Sequence, residues 1–127
     1  MLCESPCTKA LGDFVPFDSA VVPADSSAAA ELATALPTSK VLKAFNTTFA
    51  ATLASGTIGD LSTTVQIAGD DADAKALLAG VVTAAGLKAI DAGGLKRARE
   101  LEAFGFLQIT LAAAEKFSWT GGFSVAA

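Results

Sequence analysis

The chain has 127 residues, 52% of them hydrophobic and 17% charged, which is enough apolar material for one domain around one core and excludes the disordered class. Nine basic residues against 13 acidic ones give a net charge of −4, a balance that repels a nucleic-acid backbone. Histidine and tyrosine are absent, so neither a Ser-His-Asp nor a Cys-His arrangement can be assembled from this chain, and any chemistry falls to carboxylates, lysines, hydroxyls or a cofactor.

The first section, to about Val22, mixes Pro6, Gly12 and Pro16 with "FVPFDSAVV" and reads as an irregular N-terminal segment with a short extended piece. A single α/β domain is expected over 23–127. Cys3 and Cys7 flank "ESP"; two thiols alone cannot complete a four-ligand metal site, which leaves free thiols, a local disulfide or a redox pair. The start, Met1-Leu2-Cys3-Glu4, has no basic region leading into an apolar core, and no run of about 18 apolar residues occurs anywhere. A cytoplasmic protein without a membrane span is therefore expected.

"ADSSAAAELATALP" predicts a helix over 26–36, with Ser26 or Ser27 as N-cap, Glu31 in the early turns and Pro37 as the stop. Val41 to Phe45 reads as a strand, and "TTFAATLASG" as a short helix closed by Gly56. "GDLST" makes a turn before a second strand, Thr64 to Ala68. Asp70 or Asp71 can cap a helix over 72–85, and Asp73 suits its positive start, an explanation that makes a divalent cation on the three acids unnecessary. Gly86 ends that helix, Leu87 to Asp91 forms a third strand, Gly93-Gly94 break it, and a long helix runs over 95–117. Lys88, Lys96, Arg97 and Arg99 read as a solvated face or a local anion contact, and Arg97, Arg99, Glu100 and Glu102 as a salt-bridged helix surface.

This alternation predicts an α/β unit: a small sheet of about three strands with flanking helices and a long C-terminal helix, its crossovers joining neighbouring strands. So narrow a sheet leaves open edges, which predicts completion by a second copy or a partner segment. The polar Asn46-Thr47 step ends the first strand, where the open α/β architecture places ligands. The same pair could instead turn the chain and cap the next helix.

"KAFNT" after a strand, "AGDDADAKA" opening a helix, "GLKAIDAGGLKRARELEAFGFLQI" and the terminal "SWTGGFSVAA" together resemble, from about Ser5 onward, the carboxyl-terminal half of the NADPH-dependent deazaflavin reductases. The resemblance implies hydride transfer between NADP and a deazaflavin. It places Asn46 and Thr47 beside the nicotinamide, with Thr48 to Ala51 (Ala50 among them) and the loop Asp91-Ala92-Gly93 bordering the deazaflavin. It also implies that the long helix supplies apolar wall and subunit contact, with Leu101, Phe104 and Leu107 facing inward.

The family's phosphate-binding G-x-G-x-x-G does not occur in these residues, and Gly94 stands where the family usually has proline. A Rossmann-bearing partner or segment would then have to supply the dinucleotide grip. The alternative is a non-redox homodimer that reuses the deazaflavin pocket for an apolar small molecule, as a binder or a cyclase, with Asp91, Glu100 or Thr47 as polar contacts.

Overall fold

A computed structural model describes residues 22–127. The irregular segment expected before Val22, with Cys3 and Cys7, lies outside the described residues. Ser27 opens helix α1 (Ala28–Ala35), its Oγ accepting the Ala30 N–H at 2.9 Å, and Leu36 closes it just before Pro37. Strand β1 (Leu42–Lys43) is followed by helix α2 (Ala50–Ser55), which ends on the left-handed Gly56, φ 76°.

The turn expected in "GDLST" belongs to a small hairpin, β2 (Thr57–Ile58) with β3 (Leu61–Ser62), joined through Gly59-Asp60. Strand β4 (Thr64–Gly69), helix α3 (Ala72–Ala84) and strand β5 (Lys88–Gly93) come next. A 3-10 turn (Leu95–Arg97) leads into helix α4 (Ala98–Ala113). Residues 114–127 carry turns but no helix or strand.

The main sheet has the order β1-β4-β5. β4 and β5 are parallel, with Val65 opposite Ala89 and Ile67 opposite Asp91, and α3 is the crossover that parallel neighbours require. β1 runs antiparallel to β4, with Leu42 opposite Gly69 and Lys43 opposite Ala68. The expected crossover thus joins β4 to β5 only; from β1 the chain reaches β4 through α2 and the hairpin. β1 is also shorter than the predicted 41–45, because Phe45 turns left-handed at φ 68° and takes the chain out of register with β4.

Alternation along β4 sends Val65 and Ile67 to one face, where they form a core with Ala44 and Val82, closed by Leu53, Leu78, Ala79 and Leu87. Val65, Ile67 and Val82 are almost wholly buried, and each such side chain contributes about 1.5–3 kcal/mol. Gln66 and Ala68 face the other way, toward α4. A second cluster, Ala29, Leu95 and Ala98 with Ala33 and Val41, joins α1 to the start of α4.

The long helix is split: its first turn is 3-10 and the α-helix ends at Ala113 rather than Phe117. Its buried stripe is Ala98, Leu101, Gly105, Gln108 and Ala112, at three- and four-residue spacing. Leu101 faces inward as expected, Phe104 is half-buried, and Leu107 is 51% exposed because it falls off that stripe.

One charged network joins three elements. Glu102 of α4 accepts the free N–H groups of Ala28 and Ala29 at the start of α1, at 2.7 and 3.1 Å, and its Oε2 lies 3.4 Å from Lys43 Nζ. The Lys43 side chain is only 5% exposed, so its ammonium depends on this carboxylate far more than a surface lysine would. Glu102→Ala is expected to cost about 3 kcal/mol in urea unfolding, because it removes a counter-charge from a buried lysine and two acceptors from a helix end. Glu102→Gln, which keeps an acceptor for α1, is expected to cost less.

Candidate functional site

The segment after β1 is fixed against α4 by polar contacts in sequence. Phe45 turns left-handed, and its carbonyl accepts both the Thr48 N–H at 3.3 Å and the Thr48 hydroxyl at 3.0 Å. Asn46 Nδ2 donates to the Leu101 carbonyl at 2.6 Å, across the helix flank where Gly105 sits. A Cβ at Gly105 would stand 2.6 Å from the Asn46 carbonyl oxygen, so this close approach requires glycine. Thr47 is 3% exposed; its carbonyl accepts Gln108 Nε2 at 3.0 Å and its hydroxyl accepts Gln66 Nε2 at 3.5 Å.

Neither Asn46 nor Thr47 caps α2. The N-cap position there is Phe49, with no side-chain cap, so the capping alternative does not describe this turn. Thr48 is buried and Ala50 is exposed on the first turn of α2. Two side-chain oxygens of this seam, Asn46 Oδ1 and Gln108 Oε1, are buried and have no donor among the described residues. Each such atom costs about 1–3 kcal/mol.

Asp91 and Gly93 belong to a different cluster. Lys75 of α3 reaches across to Asp91 Oδ1 at 2.9 Å and to the Gly93 carbonyl at 3.2 Å, while Gly93 N–H returns to Asp91 Oδ1 at 2.8 Å. Gly93 holds φ 107°, a conformation that favours glycine. Asp71 caps α3 through the Ala74 N–H at 2.8 Å, and Asp70 instead accepts the Leu95 N–H at 3.0 Å, tying the end of β4 to the entry of α4. A cleft of about 180 Å3 lies beside Lys75 and Asp91, lined by Ile67, Ala72, Ala76 and Ala89. The hydrogen bond from Lys75 holds the Asp91 carboxyl below its ordinary value, with the Gly93 N–H adding to it.

The antiparallel β1 explains why the six anticipated residues fall into two groups. Leu42 sits opposite Gly69, at the carboxyl end of β4 where Gly93 also lies, and the chain then runs back along the sheet to bring Thr47 over Gln66. Thr47 lies against Gln66 and Gln108 on the α4 face, whereas Asp91, opposite Ile67 and bound by Lys75, lies toward α3, so the two groups fall on opposite faces of the sheet. The arginines Arg97 and Arg99 both pair with Glu100, at 2.6 and 2.5 Å, as an exposed helix surface. Among the described residues no group of three or more His, Cys, Asp and Glu side chains is placed to hold a metal ion, and no helix is long and apolar enough to cross a membrane.

Gln108, Gln66 and Lys75 are polar groups of these clusters that the sequence reading does not single out. A signal exists for one of them: Gln108 stands seven residues after Leu101, a spacing that puts a polar amide on the inward stripe of the helix.

No family model and no curated protein matches the chain. It is similar in fold to a crystal structure from Arthrobacter sp. FB24, provisionally described as an F420-dependent NADP reductase, with a TM-score of 0.76 and 25% sequence identity. The match covers 91% of this chain and 52% of that one, so the chain spans about half the length of the structure it resembles. The likeness is that of a distant, oxidoreductase-like relative.

Two outcomes test these geometries. Gly105→Ala is expected to lower the unfolding free energy by about 1–3 kcal/mol, through overpacking against Asn46, and to shift the amide resonances of Asn46 and Thr47. For Asp91 the folded pKa is depressed, so its contribution is present above the ordinary carboxylate value and is lost as the pH falls through the folded one. Asp91→Asn is accordingly expected to lower Tm slightly at neutral pH and to converge with the unaltered chain as the pH falls, which flattens the acid limb of a Tm-against-pH curve.

Proposed function

We propose that this chain supplies the cofactor-facing half of a hydride-transfer site that uses NADP and a deazaflavin such as F420. The observation that carries the reading is the fold match over 91% of the chain to a structure described in those terms. Asn46 and Thr47, with Thr48 and Ala50 behind them, border the nicotinamide side, and Asp91 and Gly93 border the deazaflavin. Hydride transfer between two bound cofactors needs alignment and a dry surface more than a protein acid or base, so a chain without histidine suffices for this role.

The Rossmann half comes from sequence other than these residues, on a separate chain or a continuous one. A surface suited to it lies on the outer side of β1, which among the described residues pairs with β4 alone. There Lys40, Leu42, Phe45, Leu77 and Val81 line an apolar groove of about 400 Å3, with Leu77 75% and Val81 60% exposed. Assembly with such a partner, or with a second copy, fits a cytoplasmic enzyme.

A non-redox binder or cyclase is the second reading, favoured by the burial of Thr47 and Thr48 within the chain's own hydrogen bonds. The two separate in one titration series: NADPH and oxidised deazaflavin are added to the chain alone and then with a Rossmann-bearing half, following binding by thermal shift and hydride transfer at the deazaflavin absorbance. Transfer that appears only with both halves, and is lost on Leu77→Asp at the groove, is the expected result. Saturable binding of apolar compounds with no response to either cofactor in any combination would establish the binder instead.

A further inference from the structure

The last residues of the chain pass over the polar seam of α4 as a strap. Trp119 packs on Phe49 at 4.9 Å, and Phe123 packs on Phe104 at 5.5 Å and edge-on to Phe117 at 5.9 Å. Ser124 Oγ donates to the Ser62 carbonyl at 2.5 Å. Between these anchors Gly122, at φ 152°, crosses directly above Gln108: a Cβ there would lie 3.6 Å from Gln108 Oε1 and 3.5 Å from Ile58 Cδ1. Trp119 and Phe123 remain half exposed, so the strap rests on its contacts without being sunk into the core.

What lies beneath is a polar group in need of a donor. Gln108 is 1% exposed; its Nε2 is committed to the Thr47 carbonyl, which fixes the amide orientation and leaves Oε1 as an acceptor with no donor among the described residues. Asn46 Oδ1, one residue before Thr47, is in the same condition. We infer that residues 118–125 are a movable cover over a binding subsite whose floor is Gln108 Oε1, and that the subsite takes a neutral ligand group presenting an N–H donor, of the primary-amide type. A carboxylate of the same shape brings lone pairs against Oε1 and is rejected. This deepens the proposed function by giving the nicotinamide-facing seam a recognition residue, Gln108, and a cover, and it rests on that reading only for the identity of the larger ligand.

The molecule carries its own reporter, because Trp119 is the single tryptophan and there is no tyrosine. The 127-residue chain is titrated with benzamide and, separately, with benzoate, reading Trp119 emission, its quenching by acrylamide, and the side-chain amide resonances of Gln108. Benzamide is expected to bind at least about tenfold more tightly than benzoate, the size of one hydrogen bond to a buried acceptor, while raising the acrylamide quenching of Trp119. Gln108→Leu should erase that preference. Phe123→Ala should raise Trp119 quenching without ligand and strengthen benzamide binding.

Equal binding of the two probes, benzamide binding that leaves Trp119 and the Gln108 amide unmoved, or unchanged affinity in Phe123→Ala would each overturn the inference. The Gln108 resonances decide the matter on the unaltered chain should Gln108→Leu fail to fold. A benzamide response in a chain that ignores NADPH and deazaflavin with every partner would leave the subsite standing and remove the hydride-transfer reading. Cofactor binding indifferent to Gln108→Leu, with Trp119 still, would do the reverse.

Discussion

The placement of α4 against β1 depends on the carboxylate of Glu102. It neutralises a lysine buried in β1 and completes the hydrogen bonds of a helix start, so three elements distant in the chain meet at one group. Once Glu102 is held, the contacts that follow along α4 come in order: Leu101 and Gly105 meet Asn46, and Gln108 meets Thr47. The segment from Lys43 to Thr47 and the helix from Glu102 to Gln108 run side by side. A displaced Glu102 would therefore shift every polar contact of the seam, not only its own.

The two halves of the candidate site answer to different supports. Asn46 and Thr47 are positioned by α4, whereas Asp91 and Gly93 are positioned by Lys75 of α3. Asp70 links them, since its carboxylate at the end of β4 fixes the backbone entry into α4 at Leu95. A Cβ on Gly94 would lie 3.0 Å from that same carboxylate oxygen, which gives the glycine here a local steric reason.

Much of this architecture is written locally. Ser27, Asp71, Gly56 and Gly86 mark helix ends by capping chemistry and left-handed backbone, and these signals need no knowledge of the rest of the fold. The direction of β1 is not written locally, because nothing in Leu42-Lys43 distinguishes parallel from antiparallel pairing; in the fold Leu42 packs where Gly69 has no side chain, and Lys43 meets Glu102 far along the chain. Phe45 likewise gives no sign of a left-handed turn, since glycine or asparagine would be the ordinary choice; tertiary contacts impose it. The inward face of α4 is legible at Leu101 and misread at Leu107, where the excess of apolar residues hides which stripe is buried.

The β4-α3-β5 unit has a consequence for the order of events in folding. Its strands are joined by one well-capped helix, and its contacts lie close in the chain. The bond from Ala28 to Glu102, by contrast, spans 74 residues. Loop closure of that length is paid after local pairing has reduced the entropy of the intervening chain, so the parallel pair and α3 belong to the folding nucleus and the junction of α1 with α4 to the late steps. Substitutions at Val65 or Val82 would then act mainly on the folding rate, and substitutions at Glu102 mainly on the unfolding rate. The seam that holds Asn46 and Thr47 would be among the first parts to open, on a timescale set by α1 and α4 letting go while the sheet still stands.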